Sequence, residues 1–266
     1  MGARAPDARG DDVAIAHLRF YAELNDLLPP ARRGATFALE FRGRPAVKDV
    51  IESMGVPHTE VDLLLGDGEP VDFSWRLHDG ARVSVFPVFE ALDVSSVTRV
   101  RAVPLREPRF VLDGHLGRLA RALRMLGFDA AWRRDADDPE LARTSAGERR
   151  VLLTRDRGLL KRRAVTHGHL VRADEVREQA AEVLHRLDLV RAVAPFRRCL
   201  RCNALLETVR KEDVLAGLPP RVREGQREFR RCPQCGRVYW PGTHHRRMLR
   251  AIDEIVALAR GDPPPP

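Results

Sequence analysis

The stretch Phe110-Val-Leu-Asp113-Gly114-His-Leu116-Gly-Arg-Leu119-Ala120-Arg-Ala-Leu123-Arg-Met-Leu126-Gly127 contains the change of period that decides the fold. It opens as a short apolar run that stops at Asp113-Gly114, the pattern of a buried strand ending in a turn. Leu116, Leu119, Ala120, Leu123 and Leu126 then recur at helical spacing, and Gly127 stands where a helix C-terminus is expected. A strand passing directly into an amphipathic helix opens an α/β unit.

The alternation continues downstream. Residues 128–132 suit a second strand, and residues 139–146 a helix with Asp138 as its N-cap ahead of Pro139. Residues 151–154 form a further apolar strand that stops at Asp156, and residues 174–187 read as another helix. Short strands alternating with helices predict a parallel sheet flanked by helices.

Upstream, residues 13–90 read as a separate compact unit. Residues 13–20 are a strand candidate, and residues 36–41 alternate with Phe37, Leu39 and Phe41 on one face. Residues 47–54 suit a helix ended by Gly55 and Pro57; residues 61–65 are apolar and precede the turn Gly66-Asp67-Gly68; residues 82–88 close the unit. The order strand, strand, helix, strand, strand is that of a β-grasp fold. The expected division is therefore 1–12 disordered, 13–90 β-grasp, 91–108 linker, 109–194 α/β domain, 195–250 cysteine module, and 251–266 the end of a last helix with a proline tail. That helix is expected to be capped by Thr243, with Met248, Leu249, Ile252, Ile255 and Val256 on its apolar face.

The chain has 266 residues and a net charge of +8. No stretch approaches the roughly 18 apolar residues that a membrane span needs. The start of the chain is polar and lacks an apolar signal core, so a cytoplasmic protein without a membrane partner is expected. Between residues 197 and 250, 14 Lys and Arg face 5 Asp and Glu, so the whole positive surplus falls in the cysteine module. Such a patch suits a polyanion such as RNA, although an Arg-rich solvated surface has the same composition.

The four cysteines form two C-x-x-C pairs, Cys199/Cys202 and Cys232/Cys235. Four thiolates in two knuckles are what a closed tetrahedral zinc site requires, and Gly236 eases the turn after the second. Two disulfides or a thiol redox pair are the alternatives. The segment between the knuckles has room for an inserted helix at residues 211–215, and His244 and His245 read as surface or RNA-facing residues.

Three carboxylates stand at ends of elements: Asp113 and Asp156 after strands, Asp138 at a helix start. In open parallel sheets ligands bind beyond the carboxyl ends of strands. Clustered carboxylates suit Mg²⁺ or Mn²⁺ and phosphodiester hydrolysis. The plainer reading makes Asp138 a cap, Asp113-Gly114 a turn, and Asp156 an ion-pair partner of its Arg neighbours. Asp135, Asp137 and Glu140 are substitutes for the middle position, with Asp129 and Asp174 further out. The run Arg155, Arg157, Lys161, Arg162 and Arg163 either holds phosphates or is a solvated helix face.

These residues resemble a known family. The stretch from Phe110 to Asp129, the segment Val-Leu-Leu-Thr-Arg-Asp156-Arg-Gly-Leu-Leu-Lys161, and the motifs Arg-Cys199-Leu-Arg-Cys202-Asn and Arg-Cys232-Pro-Gln-Cys235-Gly-Arg-Val-Tyr-Trp240 are similar, in this order, to the Mut-seven C-terminal RNase family. The resemblance covers residues 109–250. It implies a PIN-like nuclease domain with a C-terminal zinc ribbon, hence metal-dependent RNA cleavage with Asp113, Asp138 and Asp156 holding Mg²⁺ or Mn²⁺. Structural Zn²⁺ then belongs to Cys199, Cys202, Cys232 and Cys235. The RNA would be gripped by Arg155, Arg157, Lys161 and Arg162, and in the ribbon by Arg198, Arg201, Arg231 and Arg237. The front unit resembles the ubiquitin-like domain fused to this family and the sulfur-carrier β-grasp proteins. The latter act through a free C-terminal Gly-Gly, which the continuing chain lacks here, so docking of a protein partner is the expected role. The rival classes are a non-catalytic RNA-binding adaptor and an accessory factor in RNA or sulfur metabolism.

Overall fold

The computed structural model describes residues 13–87, 97–100 and 109–261. The expected disorder of residues 1–12, most of the linker, the end of the strand at Val88 and the proline tail at 262–266 lie outside the described residues. The chain divides into two units.

The first unit follows from alternation. Strand β1 (Val13–Phe20) buries Ala16, Leu18 and Phe20 on one face, and β2 (Phe37–Arg42) places alternate side chains inward. Helix α1 (Val47–Ser53) buries Val47, Val50 and Ile51, and Gly55 turns the chain away at φ +93°. Strands β3 (Val61–Gly66) and β4 (Glu69–Pro70) form a hairpin whose turn residues Asp67 and Gly68 both take positive φ. Strand β5 (Arg82–Pro87) lies parallel to β1 and antiparallel to β3. The sheet order β2-β1-β5-β3-β4, with the first and last long strands central and parallel, is the β-grasp arrangement; the short β4 is an addition to the expected order.

The second unit is built on a parallel sheet. Strand β6 (Phe110–Leu112) is wholly buried and leads through a short 3-10 turn into α2 (Gly117–Met125), which buries Leu119, Ala120 and Leu123. Gly127 follows at φ +102°, and a Cβ there would meet the Ala194 carbonyl at 2.1 Å, so only glycine fits. Strand β7 (Ala130–Trp132), helix α3 (Asp138–Glu148) and the wholly buried β8 (Val151–Thr154) come next. The cap of α3 is one residue earlier than expected. Asp137 is extended and its Oδ1 accepts from the Glu140 N–H at 2.7 Å, whereas Asp138 is already helical, with Pro139 in the second position.

After Arg155 the segment Asp156–Thr166, containing α4 (Arg157–Leu160), belongs to the first unit. There the Lys161 ammonium donates to the Glu52 carbonyl at the end of α1 at 2.5 Å, and His58 bridges the Glu52 carboxylate (2.7 Å) and the Val165 carbonyl (2.9 Å). The second unit resumes with β9 (Gly168–Leu170) and α5 (Val176–Arg186). All pairings in this sheet are parallel and its order is β7-β6-β8-β9. Since β6 leads outward to β7 on one side and β8 to β9 on the other, the order reverses between β6 and β8.

The cysteine module contains β10 (Glu207–Val209), α6 (Pro220–Gly225), β11 (Phe229–Arg231) and β12 (Val238–Tyr239), paired antiparallel in that strand order. Its small core is Val214, Leu218 and Phe229, with Trp240 packed against them. The helix expected at residues 211–215 is replaced by two 3-10 turns, Lys211–Asp213 and Leu215–Gly217, and the inserted α-helix is α6. Helix α7 (Thr243–Arg260) closes the unit. Its N-cap is Gly242, not Thr243, which is the first helical residue. Ile252 and Ile255 are buried as expected, while Leu249 is exposed.

Candidate functional site: a carboxylate end and a cysteine ribbon

Asp113 is the first residue beyond β6. Its N–H still donates to the Leu153 carbonyl of β8 at 3.1 Å, and its Oδ2 accepts from the Thr154 hydroxyl at 2.7 Å. Thr154 is fully buried, so its hydroxyl needs an internal partner. The register Leu112↔Leu153 thus places Asp113 across from Thr154, at the carboxyl ends of the two strands between which the order reverses. Asp113 is half-buried and its carboxylate makes no cap bond to the following turn.

The loop from β7 to α3 lies against this turn. A Cβ on Gly114 would stand 2.4 Å from the Arg134 carbonyl oxygen, and one on Gly117 2.5 Å from the Trp132 ring. The Trp132 indole N–H donates to the Gly114 carbonyl at 3.2 Å. Two glycines therefore let the chain carrying Arg133 to Asp138 close over the Asp113 turn. On that loop Arg133 is bound to Glu140 at 2.6 Å and approaches Asp135 at 3.7 Å, and Asp137 caps α3. Asp138 is half-buried at the first helical position and is not the cap.

Asp156 is the second residue beyond β8 and caps α4, its Oδ1 accepting from the Gly158 N–H at 2.6 Å. It is exposed, as are Arg155, Arg157 and Arg162. Arg155 is paired with Asp174 at 2.7 Å, and the Lys161 ammonium is taken up by α1.

Asp129 lies at the other end of the sheet, before β7. Arg150 donates to its Oδ1 at 2.6 Å, Asn203 to the same oxygen at 2.7 Å, and Arg198 stands 3.4 Å from Oδ2. Burial pushes this carboxyl upward, but the bonds from Arg150 and Asn203 more than offset it and hold it below its ordinary value. Asp129 is thus a structural pivot. Arg124 of α2, buried, donates to the carbonyls of Ala130 (2.9 Å), Arg201 (2.8 Å) and Leu200 (3.3 Å). Neither Arg124 nor Asn203 is singled out by the sequence pattern. The signal present was a buried-face Arg in α2 and an Asn directly after a cysteine knuckle.

The four cysteine sulfurs lie within 4.8 Å of one another and, among the described residues, are the one converging group of three or more thiol, imidazole or carboxylate ligands. Cys199 and Cys235 sulfurs are 3.6 Å apart, Cys202 and Cys232 3.3 Å. A tetrahedron with bonds of about 2.3 Å has edges of about 3.8 Å. The two knuckles have the same backbone. Asn203 N–H donates to the Cys199 carbonyl and Gly236 N–H to that of Cys232; Cys199 N–H reaches the Ala204 carbonyl and Cys232 N–H that of Arg237. Asn203 and Gly236 take positive φ, +72° and +69°. The Cys235 N–H points at the Cys232 sulfur (3.4 Å), and the Tyr239 hydroxyl lies 3.2 Å from that of Cys199. Burial resists ionisation of Cys199, but the Tyr239 hydroxyl and the knuckle amides outweigh it and bring the thiol down to about 6. Burial, then the neighbouring thiols, push Cys202 up to about 12. A bound cation reverses that second effect by favouring thiolates throughout. The donor set and spacing fit a structural metal and a zinc ribbon.

The other basic residues expected to touch RNA are divided. Arg201, Arg231 and Arg237 are exposed, while Arg198 is half-buried and spent on Asp129 and the Asn203 carbonyl. Among the described residues no helix is long and apolar enough to cross a membrane.

Comparison with family models gave two matches. A model described as Mut7-C RNAse domain matches residues 108–252, and one described as Mut7-C ubiquitin matches residues 13–93. No curated protein and no solved structure matched the chain.

Proposed function

This chain belongs to the Mut7-C RNAse domain family, and from that premise we propose that it is a ribonuclease dependent on Mg²⁺ or Mn²⁺. The observation that carries the reading is the position of Asp113 against Thr154 at the reversal point of the parallel sheet, where ligands of open α/β sheets bind. In this PIN-like reading Asp113, Asp138 and Asp156 would hold the cation as an all-oxygen donor set that suits a hard ion, drawn together on binding it, since among the described residues only the four cysteines already converge. When bound, the ion supplies an activated water and stabilises the leaving oxygen. The chain's own contribution is positioning. Thr154 holds the Asp113 carboxylate through its Oδ2, and the cap of α3 is Asp137, one position before Asp138. Arg155, Arg157 and Arg162 follow β8 closely enough in sequence to meet phosphates of an RNA bound at that end. The ribbon carries Zn²⁺ on Cys199, Cys202, Cys232 and Cys235, with no part in the chemistry. The ubiquitin-like unit docks a protein partner.

The test is cleavage of end-labelled RNA by the purified zinc-loaded protein. Cleavage with Mn²⁺ that stops on chelation of Mn²⁺ is expected. Intact RNA across Mg²⁺ and Mn²⁺ concentrations would overturn the reading in favour of an RNA-binding adaptor.

A further inference from the structure

Two clefts flank the Tyr239-Trp240 pair in the second unit, and the pair, with Leu200, His245 and Met248, lines both. They differ in charge. The larger, about 890 Å³, is lined by Arg121, Arg201, Arg237 and Arg247, with no Asp or Glu on its walls. Among the described residues no acceptor lies within hydrogen-bonding distance of these four guanidinium groups, and four unneutralised cations facing one concavity repel one another. The smaller, about 470 Å³, is aromatic: Phe196, Phe229, Tyr239, Trp240 and His245 line it, and the Phe196 and His245 rings lie 4.3 Å apart at 32°. Of its three arginines, Arg230 donates to the Phe196 carbonyl and Arg198 is held by Asp129, while Arg227 stands on the wall beside Glu228, so this cleft combines ring faces with one charge of each sign. The Tyr239 hydroxyl is likewise occupied, by Cys199 and the Leu200 N–H.

A cationic trough beside an aromatic slot is the arrangement that binds unpaired nucleic acid, with phosphates in the trough and a base on the rings. A duplex keeps its bases stacked and cannot use the slot. An acidic peptide would use the trough and leave the slot empty. We propose that these clefts form a binding site for single-stranded RNA, in which Arg121, Arg201, Arg237 and Arg247 take the sugar-phosphate backbone and an unstacked base enters the slot against Trp240. This deepens the ribonuclease reading, since it rests on RNA as the ligand. Three of the residues, Arg121, Trp240 and Arg247, were outside the expected set of RNA-facing residues. The site depends on the cysteine ribbon for its shape, because Tyr239 is fixed by Cys199.

The experiment uses the full zinc-loaded chain without added Mg²⁺ or Mn²⁺, so that RNA is bound and not cut. A single-stranded RNA of roughly ten nucleotides is titrated while tryptophan fluorescence and anisotropy are read. Wild type should be quenched on binding, and W240F should bind without that quench. A blunt duplex of the same length should bind at least tenfold more weakly and without quenching. The double variant R237A/R247A should lose at least tenfold in affinity, and its log–log salt slope should fall by about 1.4, near 0.7 for each phosphate contact. Equal binding of duplex, unchanged quenching in W240F, full affinity in R237A/R247A, or equal competition by poly-glutamate would each overturn the proposal. The nuclease reading fails separately. RNA that binds and quenches but is never cut with Mn²⁺ removes the activity and leaves the clefts. Cleavage with R237A/R247A binding as wild type removes the clefts and leaves the activity.

Discussion

Asn203 clasps the start of β7 with both ends of its amide: its Oδ1 accepts from the Ala130 N–H at 3.0 Å, and its Nδ2 donates to Asp129 at 2.7 Å. The same residue ends the first cysteine knuckle in a left-handed conformation, φ +72°. One side chain therefore joins the cysteine ribbon to the amino end of the parallel sheet, opposite the end at which Asp113 stands.

Two substitutions separate its roles. Asn203→Gly keeps the backbone conformation and loses the side-chain bonds, which should cost about 1–3 kcal/mol of stability. Asn203→Ala loses the bonds and also strains the left-handed position, adding about 1 kcal/mol or more. Denaturant unfolding of the zinc-loaded chain reads both. Equal stability of Ala and Gly variants would contradict the backbone part of the argument.

Asp129 predicts an acid limb of stability. Its folded pKa lies below the ordinary 3.8, so its contribution is present above that value and is lost as pH falls through the lower folded value. Asp129→Asn should be destabilised by about 1.5–3 kcal/mol at neutral pH and should lose less on acidification than wild type. Parallel stability–pH curves for the two proteins would contradict this.

Gly114→Ala forces a methyl group onto the Arg134 carbonyl, where 2.4 Å is available. The β7–α3 loop must shift, at a cost of about 1–3 kcal/mol. RNA cleavage should fall sharply while the bound zinc per chain stays unchanged. Full cleavage would show that this loop does not help form the catalytic end.

Asp137 and Asp138 are neighbours with opposite expected phenotypes. Asp137→Ala removes the α3 cap and should cost about 1 kcal/mol of stability with cleavage retained. Asp138→Ala should reduce cleavage far more than Asp137→Ala does. Reversed phenotypes would assign the ligand role to Asp137.

Much of the architecture was legible because it rests on local pattern. Alternation in β1 and β2, the Gly66-Asp67-Gly68 turn and the strand-to-helix switch at Asp113 each produce their element where expected. The four cysteines converge as their spacing implied. What escaped was short or non-local. Strand β9 has three residues, and its central His169 is buried against Glu182, 13 positions on, so it carries no alternation that would mark it as a strand. The α3 cap moved by one because two adjacent aspartates compete and Pro139 is tolerated at either early helical position. Asp129 resembled a spare metal ligand because its partners, Arg150 and Asn203, are 21 and 74 residues away. Lys161 belonged to a run of positive charge, yet its ammonium is held by the Glu52 carbonyl, 109 residues earlier.

The central claim is that carboxylates at the carboxyl end of the β6–β8 pair cut RNA, and one comparison tests it most directly. Mn²⁺-dependent cleavage and metal-free RNA binding are measured side by side for wild type, Asp113→Asn and Asp156→Asn, each with its zinc retained. The account predicts that both variants bind RNA as wild type does and that cleavage falls by at least about 100-fold, as for loss of a group that acts on the reacting phosphate. Cleavage at the wild-type rate by both variants would contradict it.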